Sequence, residues 1–330
     1  MISIIVCGRN DTYGYNLSKR AALGLNCMAE VLTDEADEIL FVDYNTPDDL
    51  PTFPEAIADT LTEQARRRLR ILRVRPAHHA AFAKRTHLPV LEPIARNVAI
   101  RRSNRANRWV LSTNTEMIFV PRTGHSLSEI VAELPRGFYA IPRFELPENL
   151  WESLDRYDPR GVLQEVARWG WDAFLNDMVF SQYEAILYDA PGDFQLVRRK
   201  DLFAIDGFNE RMLLGWHVDV NLFRRLSLLY NGADTSDLAD RVFGYHCTHT
   251  RQQTVMHAPD APRNDIVKAY EVKRPNLPRQ RQTWGLANVD IEEISLMSRG
   301  VKESRSGEPT IEAREPRVVN RRQERYQHLA

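Results

Sequence analysis

Several things are missing from this sequence, and each absence narrows what the chain does. No stretch approaches the roughly 18 consecutive apolar residues of a membrane-spanning helix. Charge is balanced: Lys and Arg total 44 against 45 Asp and Glu, a formal net charge of −1. The molecule as a whole therefore has no electrostatic case for nucleic acid. Cysteine is scarce. Cys7, Cys27 and Cys247 are odd in number, far apart and without a CxxC pair, which argues against a disulfide framework and for a reducing compartment. Neither GxGxxG nor GxxxxGK[ST] follows the first apolar run, which argues against a dinucleotide-binding fingerprint and a P-loop. No basic segment precedes an apolar h-region at the start, so a cytoplasmic location is expected. There is no internal repeat.

What is present suits a soluble globular enzyme: 330 residues, 43% hydrophobic and 27% charged, enough for one large domain or two. Residues 2–7, 38–43, 69–74 and 109–111 read as strands. The first two and the last read as buried, and the third as half-exposed. Between them lie helical stripes: Leu17, Ala21, Leu25, Met28 and Leu32; Ile57, Leu61 and Ala65; Ile94, Ala95, Val98 and Ala99. The last stripe leaves Arg101, Arg102 and Arg105 for solvent. Strand and helix alternate, as in a doubly wound sheet. Such sheets bind ligands beyond the carboxyl ends of their strands. Three polar clusters stand there: Gly8-Arg9-Asn10-Asp11, Asp43 with the turn behind it, and residues 112–116, which end on Glu116.

The composition changes after Pro121. Ser126 caps a helix to about Leu134, and residues 138–141 read as a strand. Residues 147–188 are rich in aromatic side chains, including Trp151, Trp169, Trp171, Phe174 and Phe180. Beside polar groups such rings suit sugar faces; core packing and a lipid-facing surface are the other readings. Leu222, Leu226 and Leu229 mark a helix ending at Asn231-Gly232, with Asp219 in its first turn. A helix N-terminus stabilises an ionised carboxylate, which suits a general base; His217 is a rival. A short strand then ends at His246, with His249 three residues on. The chain beyond 259 is polar and dotted with proline. There Trp284-Gly285-Leu286 is expected to pack back on the rest, and from about residue 299 a flexible tail or linker is expected.

Three blocks carry a family resemblance, the third being the strand that ends at His246, which resembles the position completing the family's metal site. Ala95-Arg96-Asn97, then a strand, then Asn114-Thr115-Glu116 resembles the core of GT-A glycosyltransferases, family 2 in particular. Asp206-Gly207-Phe208-Asn209-Glu210, followed by Gly215-Trp216-His217-Val218-Asp219-Val220-Asn221-Leu222, resembles that family's second block. The chain departs from the pattern: Asn114 and Glu116 stand where the family's DXD motif has two Asp. Val218 and Asn221 replace acids around Asp219.

The resemblance implies an α/β, GT-A fold with a mostly parallel central sheet flanked by helices. It implies donor-binding residues Gly8, Arg9, Asn10, Asp43, Arg96, Asn97 and Asn114, and metal ligands Glu116 and His246, with His249 as the alternate. The metal is Mn²⁺ or Mg²⁺, Asp219 is the catalytic base, and Arg251 is a candidate partner for the diphosphate. The expected organisation is a nucleotide-sugar-binding half (1–122), a catalytic and acceptor half (123–257) and an extension (258–330). The expected activity moves a sugar, with inversion, from a nucleotide diphosphate sugar to a hydroxyl of a carbohydrate or glycolipid, in bacterial-type polysaccharide or glycoconjugate synthesis. Peripheral contact with the inner face of a membrane is the variant on a cytoplasmic location. A sugar-phosphate nucleotidyltransferase and a noncatalytic nucleotide- or sugar-binding module are the alternatives.

Overall fold

The first strand takes the middle of the sheet because its side chains are apolar on both faces. The computed structural model describes residues 1–297 except 123, 173–174, 250–257 and 259. Arg251, Phe174 and the tail beyond 297 lie outside the described residues. The strands are β1 (Ile2–Gly8), β2 (Glu38–Tyr44), β3 (Leu69–Val74), β4 (Trp109–Ser112), β5 (Met117–Pro121), β6 (Phe138–Ala140), β7 (Arg143–Leu146), β8 (Gln195–Arg198), β9 (Ser236–Asp237), β10 (Val242–Cys247) and β11 (Glu292–Ile294). The helices that position the site are α1 (Leu17–Glu30), α2 (Glu92–Arg102), α3 (Leu127–Glu133) and α4 (Val218–Leu229).

Eight strands form the main sheet in the order β11-β3-β2-β1-β4-β8-β6-β9. β1 pairs in parallel with β2 and β4, and β2 with β3; β8 runs antiparallel to β4 and β6. The carboxyl ends of β1, β2 and β4 and the amino end of β8 therefore meet along one edge. There Gly8 stands opposite Asp43, and Ser112 opposite Gln195. Side chains alternate across the sheet, as strand geometry requires. Ile5, Leu40 and Val110 pack against α2 and α4, while Ile4, Val6 and Phe41 pack against α1 and α3.

A second sheet, β5-β10-β7, carries the site's histidine. β10 pairs with β5 so that His246 faces Met117, the residue after Glu116, and with β7 so that His246 faces Glu145. α1 fixes the turn before β5. A Cβ on Gly24 would lie 2.1 Å from the Thr115 carbonyl oxygen and 3.2 Å from that of Met117, so only glycine lets helix and turn touch. Gly24→Ala is expected to destabilise the protein by about 1–3 kcal/mol through this backbone clash. In an unobstructed helix interior the same change stabilises by about 1 kcal/mol. The sign of the shift in thermal midpoint therefore checks the contact.

The structure departs from the sequence expectations in two places. β3 is almost wholly buried, not half-exposed, because its arginines are held: Arg70 pairs with Glu38 and Glu293, and Arg73 donates to the carbonyls of Pro47 and Leu50. Arg101 and Arg102 are not left for solvent. They donate to the carbonyls of Trp284, Gly285, Leu286 and Val289, with the Arg101 guanidinium 4.3 Å from the Trp284 ring centre. As expected, Trp284 packs back on the rest of the chain and is buried, and β11 adds an antiparallel strand to β3.

Candidate active site

The edge where the strand ends meet opens into a cleft of about 820 Å³, lined among others by Glu92, Arg96, Asn114, Arg143, Glu145, Asp193, Gln195 and Asp219. Its floor is a hydrogen-bonded chain of charge. The buried Arg96 guanidinium, carried by α2, contacts the Ser112 hydroxyl, the Thr113 carbonyl (3.1 Å) and the Asn114 side-chain oxygen (2.9 Å). The Asn114 amide then donates to Asp193. Asp193 also accepts from Arg143 at 3.0 Å, and Arg143 pairs with Glu145. Glu145 in turn meets His246 Nδ1 at 2.9 Å.

Asp219 lies on the other wall, in the first turn of α4. Three successive residues before it, Gly215, Trp216 and His217, have φ of 68°, 58° and 61°. Left-handed conformations at Trp216 and His217 are costly and cluster at functional sites. They turn the chain so that α4 starts at the cleft. Gly192 leaves room for the carboxylate: a Cβ there would stand 3.1 Å from Asp219 Oδ2. Burial pushes the Asp219 carboxyl up to about 6. The Val220 N–H and Arg96 lower it, and the negative charges of Glu92 and Asp193 raise it further. A carboxylate with this value is ionised at neutral pH yet basic enough to accept a proton. Burial lowers the His217 imidazole, with the Arg263 charge adding to it.

The second feature adjoins the cleft through Glu145. Glu116, His246 and His249 each offer a ligand atom within 4.8 Å of the others. Glu116 Oε1 is 3.7 Å from His246 Nε2, 3.6 Å from His249 Nε2 and 3.4 Å from Arg20 Nη1. Burial alone would raise the Glu116 carboxyl, but the two imidazoles and Arg20 outweigh it and hold it well below the usual carboxylate range. Burial alone would lower His246, but Glu116 and Glu145 outweigh it and bring the imidazole to about 9. The loop after β1 closes over the group. Tyr13 lies 5.7 Å from the His249 ring, and a Cβ on Gly14 would lie 2.7 Å from His249 Nδ1.

These residues fit a divalent cation. One carboxylate and two imidazoles form a mixed N/O set within reach of a single ion. Two nitrogen donors suit Mn²⁺ better than Mg²⁺, which favours oxygen. Glu145 behind His246 is the outer carboxylate that usually orients a ligating imidazole.

The sequence-predicted residues thus fall into three groups. Asp219, Arg96 and Asn114 share the cleft. Glu116, His246 and His249 meet beside it. Gly8, Arg9, Asn10, Asp43 and Asn97 are not on the cleft wall. Asp43 is fully buried: Oδ1 accepts from the Thr46 hydroxyl and the Phe53 N–H, and Oδ2 has no partner. Arg9 donates to the Asn45 carbonyl, and Asn10 to that of Pro51. Asn97 clamps the turn before α4 through Phe208 and Glu210. Sequence reasoning did not single out Arg143, Glu145, Asp193, Glu92 or Arg20. Asp193 lies beside Gly192, upstream of the second resemblance block, and like the others it carried no local signal.

No family model matches the chain, and no curated protein matches its sequence. Solved structures resemble it distantly. S. aureus TarS 1-349 in complex with UDP-GlcNAc is 14% identical with a TM-score of 0.47, covering 81% of this chain and 64% of that one. S. aureus TarS is 15% identical with a TM-score of 0.44, covering 75% and 36%. The mannosyltransferase PcManGT from Pyrobaculum calidifontis in complex with GDP-Man and Mn2+ is 14% identical with a TM-score of 0.42, covering 74% and 56%. This chain spans 36% to 64% of the lengths of these three proteins. At this distance no residue's role carries over from them.

Proposed function

We propose that the chain is a metal-dependent glycosyltransferase of GT-A type, which moves a sugar from a nucleotide diphosphate sugar to an acceptor hydroxyl. One observation carries the reading. A carboxylate raised to about 6, Asp219, shares a cleft with a polar chain that runs to a Glu-His-His group. Transfer needs both parts: a base for the acceptor, and positive charge for the leaving diphosphate.

In this reading Asp219 takes the acceptor hydroxyl's proton as the oxygen bonds to the anomeric carbon. The carbon–oxygen bond to the diphosphate breaks, and the nucleoside diphosphate leaves with the electron pair. Attack from the face opposite the leaving group inverts the centre. Glu116, His246 and His249 would hold the divalent cation, which when bound neutralises charge on the departing diphosphate. Arg96 stays charged at the cleft floor and holds Asn114 in place. Arg143 holds Asp193 and Glu145 in register. This reading keeps Gly8, Arg9, Asn10 and Asp43, at the neighbouring ends of β1 and β2, as the base end of the donor seat, beyond the cleft wall itself. Val179 and the half-exposed Trp216 on the cleft wall suit a carbohydrate or glycolipid acceptor. Among the described residues no helix is long and apolar enough to cross a membrane.

The test is calorimetric titration with UDP, GDP, CDP and dTDP, each with Mn²⁺ and with EDTA. One nucleotide is expected to bind selectively, at least about tenfold tighter with Mn²⁺ than without, a difference of about 1.4 kcal/mol. Failure of all four to bind would overturn the reading. Binding indifferent to EDTA would remove the metal from it.

A further inference from the structure

A second recess lies at the far end of the β4–β8 pair. The cleft opens where Ser112 faces Gln195; three residues back, Trp109 faces Arg198. That separation is about 10 Å of strand. There Arg105, Asn107, Arg108, Arg198, Arg199 and Lys200 line a recess of about 280 Å³. With Ala106 the lining has seven residues, of which five are cationic and none acidic.

Folding the chain costs energy here, because like charges are brought together. Arg108 and Arg198 both lie over the Trp109 ring, 5.9 and 5.4 Å from its centre. Arg199 stacks on Phe203 at 4.4 Å and donates to the Ser103 hydroxyl. The Arg198 Nε is buried without a hydrogen-bond partner. None of the five cations is ion-paired to a carboxylate among the described residues. Nearby arginines behave differently. Arg70 has Glu38 and Glu293, Arg102 has four backbone carbonyls, and Arg136 has Asp201. A net charge of −1 for the whole chain gives no general excess of cations to explain the cluster. Guanidinium groups fixed on aromatic rings, with donors unspent, match the oxygens of a phosphate group.

We propose that this recess is a phosphate-binding site separate from the cleft, with Arg108, Arg198, Arg199 and Lys200 gripping the phosphate of a soluble phosphate ester or of a lipid headgroup. The ligand brings the missing countercharge, and the position leaves the donor seat free. The site does not depend on the glycosyltransferase reading.

The full chain is titrated with pyrophosphate in EDTA, and sedimented with phosphatidylglycerol and with phosphatidylcholine vesicles. Each experiment is repeated with Arg108→Ala/Lys200→Ala, two exposed positions whose loss leaves the core intact, and with Arg143→Gln, which removes a cation of the cleft. The expected result is binding of pyrophosphate, of phosphatidylglycerol vesicles or of both. That binding should weaken with added salt, fall at least about tenfold in the double variant and persist in Arg143→Gln. Pyrophosphate alone assigns a soluble ester, and vesicles alone a headgroup. Binding of neither anion overturns the proposal. So does a double variant that binds like the parent, or a loss in Arg143→Gln equal to that in the double variant, which would place the anion in the cleft. If the double variant misfolds by circular dichroism, Arg108→Gln and Lys200→Gln singly decide in the same way.

Discussion

Asp219→Asn is expected to lower kcat by about 10²–10⁴-fold, the usual contribution of a positioned general base. Nucleotide affinity should stay near the parent's, because the change removes the proton acceptor and keeps the shape. The pH profile carries the sharper check. The base works when ionised, and its carboxyl is raised to about 6. Activity in the parent should therefore fall as pH drops through about 6, and the residual activity of the variant should lose that limb. Stability should move the other way. A carboxyl raised in the folded state relative to the unfolded one favours folding below the unfolded value, and that advantage is lost as pH rises through the folded value. Ionised Asp219 is thus a burden at pH 8, and its replacement by Asn should add on the order of 1–3 kcal/mol there and little at pH 3. Less activity with more stability is the signature of a working group held in an unfavourable place. An equally stable variant that kept its activity would leave Asp219 as an ordinary residue of a helix N-terminus.

How much of this was legible in the sequence depends on the kind of interaction. Strands β1, β2 and β4 could be read because each is a short apolar run buried on both faces, and that pattern is local. The helix with Asp219 in its first turn could be read from Leu222, Leu226 and Leu229. The Glu116–His246–His249 group came from the family resemblance, since its members sit far apart in the chain. What escaped was set by register between distant strands. Glu145 matters because β7 places it opposite His246, and Arg143 matters because it spans from there to Asp193. Neither fact leaves a trace in neighbouring residues. The arginines misled for a related reason. Arg101 and Arg102 look like a solvated helix end, yet the carbonyls that accept their hydrogen bonds come from residues 284–289. Asp43 shows how little a strand-end acid says by itself: such a residue is a common turn former, and its Oδ1 bonds Thr46 and the Phe53 N–H while Oδ2 has no partner.

Glu116→Gln should cost both metal and stability, and the two losses can be separated. Glu116 is the one carboxylate in the Glu-His-His group, so its loss should weaken Mn²⁺ binding by more than about 100-fold, beyond the 10–100-fold usual for an outer-shell change. It is also the countercharge of the fully buried Arg20, whose other donors go to the carbonyls of Tyr13 and Tyr15. Removing one partner of a buried pair leaves a bare charge, at a cost of about 3–5 kcal/mol. Thermal unfolding with and without metal distinguishes the roles. A ligand that binds the folded state stabilises it by RT ln(1 + [L]/Kd), so Mn²⁺ at about 100 times its Kd should add about 2.7 kcal/mol to the parent and nothing to the variant. If Mn²⁺ leaves the parent's midpoint unmoved while Glu116→Gln still loses several kcal/mol, then Glu116 serves Arg20 and His246 alone. The group is then an ion-pair network that already neutralises itself. Protonated His246, raised to about 9, makes that outcome physically coherent. A cation entering the site must displace that proton, so metal affinity should strengthen as pH rises towards 9, a dependence the ion-pair network does not share.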